Sequence, residues 1–224
     1  MECPEVRVDE EVYRRHKVFL AVACVYGAEC GKTLDRQLKA AEEEVRGRYS
    51  LEGLREDPRV KALRSFYWSM GIDPTKQRPA SEALVRRVLR GASIPRINCA
   101  VDAGNIVSME TLIPIGIYDV AKLKPPLTLR YSRPGEAFKP IGRGELRLTG
   151  REIVLADEEK VVHIYPYRDG EATKVDADSR DLLVIAAGVP GLTEDEVVEA
   201  ARRVVSLILS ECGAEGFTGP VKKP

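Results

Sequence analysis

Pro114 is the point at which the hydrophobic pattern of this chain changes period. Upstream, apolar residues recur at helical spacing. Downstream they alternate and are β-branched, in short runs separated by glycine and proline. Strands are expected over 115–120, 127–131, 146–148, 152–156, 161–165 and 182–187, before a closing helix that Thr193 caps and that runs to Cys212. Helices first, a strand-rich second half and a final helix argue for an α+β domain with sheets packed under helices.

The upstream elements follow from the same spacing argument. Val6–Val8 reads as a short strand and 9–15 as a helical turn capped by Asp9. The run KVFLAVACVY, 17–26, reads as a strand buried on both faces. Helices are expected over 34–48, 58–70, 81–90 and 97–112, with a polar connection over 47–57. Ser81 is expected to cap the third of these and Gly91 to stop it. Ala83, Leu84, Val88 and Leu89 would then form its apolar side and leave Arg86, Arg87 and Arg90 in solvent. The last residues, 217–224, read as a frayed tail.

With 224 residues, 44% of them hydrophobic, the chain is long enough for one domain with a real core. It has no apolar run near the roughly 20 residues that span a bilayer, and its N-terminus lacks the basic and apolar regions of a signal peptide. A soluble, cytoplasmic protein without membrane contact is expected. Its 35 basic and 35 acidic residues balance, so contact with nucleic acid has to be local. The five cysteines are an odd number without a close pair, which indicates neither a disulfide framework nor a zinc site but buried or idle thiols. No metal and no cofactor is expected. The segment GAECGKT after the first long strand imitates a phosphate-binding loop. Three residues separate Gly27 from Gly31 where such a loop needs four, so nucleotide binding is set aside.

The run GIDPTKQRPASEALVRRVLRG, followed by IPRINCAVDAGNIVSMETLIPIGIYD, carries a resemblance. So do Leu129-Arg130, Gly135-Glu136-Ala137-Phe138, Ile141-Gly142, the run from Glu152 to Asp157, and Tyr165-Pro166-Tyr167-Arg168-Asp169. In their order, over about 64–188, these resemble the tRNA-editing domain formed by the third and fourth B modules of the phenylalanyl-tRNA synthetase beta subunit, in its freestanding form. The resemblance implies a three-layer β/β/α fold with a β-sandwich of unusual topology. It also implies a site for the 3′ end of an aminoacyl-tRNA, where a wrongly attached amino acid is removed by ester hydrolysis. An activated ester has a good leaving group. Holding it, placing a water and offering donors to the oxyanion suffice without a covalent nucleophile.

Asn105 is the first candidate for that work, since its amide accepts from an ammonium and donates to a carbonyl; a local turn is its other possible role. Asp102, one helical turn earlier, either binds the substrate's amino group or pairs with Arg78 or Arg96. Asp119 ends a strand, where it touches ligand or fixes a loop. Arg130 and Glu136 match family positions and are expected to face each other across strands. Strict alternation puts His163 beside Val161 and Tyr165, where a neutral imidazole orients water or is a satisfied sheet histidine. Arg168 and Asp169 align with the glycine-rich part of the family's pocket. Because charged residues stand there, tyrosine specificity is not carried over. Lys76, Arg78, Arg86, Arg87, Arg90 and Arg96 concentrate positive charge beside aromatics, a patch suited to phosphates or a solvated helix face.

These readings give a tRNA or aminoacyl-tRNA binder that deacylates mischarged tRNA. Two rivals remain: a non-catalytic RNA-binding or amino-acid-sensing module, and a hydrolase or binder of a small metabolite such as a free amino acid.

Overall fold

The computed structural model describes residues 2–223. The chain begins with β1 (Val6–Val8) and α1 (Glu10–His16), where the Asp9 carboxylate accepts from the Glu11 and Val12 amides. Then come β2 (Phe19–Tyr26), α2 (Asp35–Arg48), α3 (Gly53–Glu56), α4 (Pro58–Ser69), α5 (Ala80–Leu89) and α6 (Cys99–Thr111). After Pro114 follow β3 (Ile115–Asp119), β4 (Leu127–Tyr131), β5 (Ala137–Phe138), β6 (Leu146–Arg147), β7 (Ile153–Ala156), β8 (Val161–Ile164) and β9 (Arg168–Asp169). The chain closes with β10 (Leu182–Gly188), α7 (Glu194–Glu211) and β11 (Gly216–Lys223). The change of pattern at Pro114 is therefore a change of structure, and the fold is α+β.

Three sheets form. One is ordered β11-β2-β10-β3 and another β1-β4-β7-β8-β9, with β1 parallel to β4; β5 and β6 make a separate ribbon. α6 and α7 pack on the four-stranded sheet, and the main core joins β2 and β10 to Leu129, Leu155 and Tyr165 of the five-stranded side. This layering explains β2: covered by helix on one face and by sheet on the other, it has no side that must be polar, and seven of its eight residues are buried. A smaller core of Phe138, Leu148, Val154, Ala156, Val161 and Ile164 fills the outer face of the five-stranded sheet. α7 starts at a capping box, with Thr193 and Glu196 each bonded to the other's backbone, an arrangement worth roughly 1 kcal/mol.

Several expectations are corrected. The segment read as a frayed tail is β11, antiparallel to β2; Pro224, its last residue, lies outside the described residues. Four of the five cysteines are paired, Cys3 with Cys24 and Cys99 with Cys212, and only Cys30 is a buried free thiol. Ser81 does not cap α5. Pro79 precedes the first helical residue and Ser81, fully buried, donates to the Leu112 carbonyl at 2.8 Å. The buried side of that helix carries Glu82, Val85, Arg86 and Val88, while Ala83 is exposed. Glu82 is what makes this register tolerable: it accepts from Arg64 at 2.9 and 2.6 Å and lies 3.7 Å from Arg86. The polar connection contains α3, whose Leu54 is buried.

Candidate functional site

A cavity of about 530 Å³ opens between α6 and β3. From α6 come Val101, Gly104 and Asn105, one face of the helix by their spacing. β3 supplies Ile115, Ile117 and Tyr118, β9 supplies Asp169, and Ile97 and Ile141, both exposed, belong to the lining. Cys30 and Gly31 of the GAECGKT segment and Lys174 and Asp176 line it as well. Gly104 matters for the approach of helix to strand, because a Cβ there would stand 2.9 Å from the Ile117 Cδ1.

Gly116 has a sharper role. Tyr118 folds back along its own strand so that a Cβ on Gly116 would fall 2.1 Å from the tyrosine Oη. The missing side chain lets that hydroxyl reach Asp169, to whose Oδ1 it donates at 2.7 Å, while its oxygen meets His163 Nδ1. With the hydroxyl proton committed to Asp169, the His163 Nδ1 carries hydrogen and donates to Oη. The imidazole is stacked between Tyr118 and Tyr165, with centroids at 5.7 and 5.8 Å. Its Nε2 has no partner among the described residues, and His163 is one of the residues that line a small space of about 40 Å³.

Burial sets the charge states. Desolvation pulls the His163 pKa down to about 3, so the ring is neutral and no base near neutral pH; it stands behind Tyr118 and does not itself line the cavity. The unfolded chain takes up this proton near pH 6.5 and the folded chain only near pH 3. Stability from this group is therefore complete above pH 6.5 and declines below it, by at most about 1.4 kcal/mol per pH unit. Urea denaturation of His163→Gln at pH 7 and pH 4.5 should show a smaller loss than the parent; an equal loss would remove His163 from the acid sensitivity. Desolvation raises the Asp169 pKa, with the Tyr118 hydrogen bond opposing. It likewise pushes the Cys30 thiol up to about 11, so Cys30 is no thiolate nucleophile.

The other candidates are dispersed. Asp102 lies outside the cavity, fully buried, and has no ion-pair partner within salt-bridge distance among the described residues. Its two oxygens accept the Leu34 and Ile97 amides at 3.0 Å each. Asp119 fixes a loop, accepting from Ala121 N–H at 3.0 Å and Ser179 Oγ at 2.6 Å. Arg130 and Glu136 do meet, through bonds of 3.0 and 2.7 Å, but away from the cavity. Tyr165 is a core residue whose hydroxyl donates to the Gly188 carbonyl at 2.7 Å. Arg168 lies over Tyr167 and donates to Gln77 at 2.8 Å. Val161 packs in the smaller core, not beside His163, because a register shift between Leu155 and Ala156 breaks the alternation.

The basic patch is thinner than its sequence. Arg86 is only 6% exposed, and Arg96 is held by Glu42, Asp35 and the Ile94 carbonyl. Arg78 is half-buried, which leaves Lys76, Arg87 and Arg90 exposed. Tyr118 is not among the residues the sequence singles out, although Gly-Ile-Tyr-Asp carries a signal for it: a glycine two residues before a tyrosine in a strand leaves room for its ring.

These features define an α+β domain with an open, largely aliphatic cavity in which Asn105 and the Tyr118-bonded carboxylate of Asp169 stand among apolar walls. A family model described as the B3/4 domain matches residues 62–213, and the chain belongs to that family. It is 29% identical over 166 residues to the phenylalanine–tRNA ligase beta subunit of Thermobifida fusca (strain YX), covering 74% of this chain and 19% of that one. To the same subunit of Nocardia farcinica (strain IFM 10152) it is 34% identical over 117 residues, 52% of this chain and 14% of the relative. The chain thus spans about a fifth or less of these relatives. A crystallised N-terminal fragment of the phenylalanyl-tRNA synthetase beta subunit from Pyrococcus horikoshii shares the fold, with a TM-score of 0.52 at 17% identity over 95% of this chain and 50% of that one. No helix among the described residues is long and apolar enough to cross a membrane.

Proposed function

We propose that this chain binds the acylated 3′ end of a tRNA in the α6–β3 cavity and hydrolyses mischarged aminoacyl esters there. The observation that carries the reading is the cavity itself, which apart from Cys30 and Gly31 is lined by residues of the B3/4 match and presents Asn105 beside aliphatic walls. Asn105 positions the ester carbonyl through its N–H donors. Water adds to the carbonyl carbon, the acyl C–O bond breaks, and the ribose oxygen leaves with a proton. No covalent nucleophile is needed, in keeping with the buried, neutral Cys30 and His163. Lys76, Arg87 and Arg90 are the exposed cations left to meet phosphates, and a cytoplasmic location goes with the reading.

The test is deacylation of a panel of tRNAs, each carrying a radiolabelled cognate or non-cognate amino acid, by catalytic amounts of protein. Selective release of one amino acid is the expected result. Asn105→Ala should slow that release at least tenfold with its denaturation midpoint unchanged. Esters that stay intact across the panel, with tRNA still bound, would make the chain a non-catalytic binding module.

A further inference from the structure

The cavity's charges are unevenly spent. Asp176 uses both oxygens within the protein, Oδ1 accepting from the Asp178 amide at 3.0 Å and Oδ2 from Lys122 at 2.5 Å. Lys174 is bonded to Glu171. Asn98 caps α6 through Oδ1, at 2.9 Å from the Val101 amide, and its Nδ2 donates to the Val175 carbonyl at 3.2 Å. Two polar groups are left. Asn105 makes no side-chain hydrogen bond among the described residues. Asp169 has one oxygen fixed by Tyr118, and neither a second donor nor a cation is engaged with it among the described residues.

That inventory selects by charge. A carboxylate without a counter-ion, rooted in a buried Tyr118–His163 pair, is a receptor for a cation. An ammonium bonded to it relieves the desolvation that burial imposes. Among the described residues the cavity offers no uncommitted cation, so a ligand that brings its own carboxylate would desolvate it without compensation. The remaining wall, from Val101, Ile115 and Ile117, takes an apolar body.

We propose that Asp169 is the receptor for the α-ammonium of the acyl group, and that the cavity accepts amino acids only when the carboxyl is esterified or amidated. This rests on the aminoacyl-ester reading above and extends it. A free amino acid is refused by its own charge, so the hydrolysis product is expelled rather than retained. Asp169, not Asp102, then fills the amine-binding role that the sequence suggests for one of its aspartates.

The inference is tested on the intact chain by amide-resolved NMR titration at pH 7 with three probes: L-leucinamide, L-leucine and N-acetyl-L-leucinamide. Leucinamide has the ammonium without the carboxylate, leucine has both, and the acetylated amide has neither. Leucinamide should bind at least tenfold more tightly than either of the others, with shifts at Gly104, Asn105 and Asp169. In Asp169→Asn, which keeps an acceptor for the Tyr118 hydroxyl, that advantage should disappear. Leucine binding as well as leucinamide, an advantage that survives Asp169→Asn, or no measurable leucinamide binding would each overturn the assignment. The outcome is separable from the tRNA reading. Ammonium selectivity without deacylation loses the enzyme and keeps the receptor, whereas deacylation without ammonium selectivity does the reverse.

Discussion

Replacing Cys99 and Cys212 together with serine is expected to lower the unfolding free energy by about 5 kcal/mol. The bond joins the first residue of α6 to the residue after α7 across a sequence separation of 113, whereas Cys3–Cys24 spans 21. In the chain-entropy account a cross-link acts by restricting the unfolded ensemble, more so for a longer loop, which puts the shorter link nearer 3 kcal/mol. Guanidinium midpoints of the two double-serine variants, with free thiols counted beforehand, measure the difference. A larger loss from the short link would contradict the ordering and point instead to local packing of Cys3.

Glu82→Ala should cost about 3–5 kcal/mol, the range seen when one partner of a buried ion pair is removed. Glu82 is fully buried and is bonded to Arg64 through both oxygens. Nothing takes its place beside Arg86, whose Nε and Nη1 are buried without partners and whose other charged neighbours include Arg55, Arg78 and Arg90. The physical cause is an uncompensated charge, so a second variant separates it from simple loss of packing. Glu82→Leu combined with Arg86→Leu should be less destabilised than Glu82→Ala alone, even though it changes more atoms. If the double variant is the weaker, the ion pair is not what holds α5 in register.

What could be read in advance was whatever the chain encodes locally. The change at Pro114, the apolar run of β2 and the capped start of α7 each depend on neighbours within a few residues, and each forms where expected. The errors have distant causes. Ser81 looks like a helix cap until the Leu112 carbonyl arrives, and Arg86 looks solvated until α5 turns Glu82 inward toward Arg64. Asp102 was lost to the site because its partners are backbone amides, which carry no residue identity in a sequence. Asn105 and Asp169 do line one cavity, on a helix and a strand 64 positions apart that only the fold brings together. Paired cysteines at a separation of 113 leave no periodic trace at all.

The misread tail has a consequence of its own. β2 is eight residues of Phe-Leu-Ala-Val-Ala-Cys-Val-Tyr, uncharged and without proline, the composition that stacks readily into intermolecular cross-β sheet when an edge is open. It lies between β10 and β11, so its backbone groups are claimed on both sides. β11 is a poor strand by composition, with a Gly-Pro pair and two lysines near its end. Those features suit an outermost strand, since they discourage a further chain from pairing there. The sticky segment is thus held inside the sheet, and the edge beyond it goes to a sequence that resists self-association.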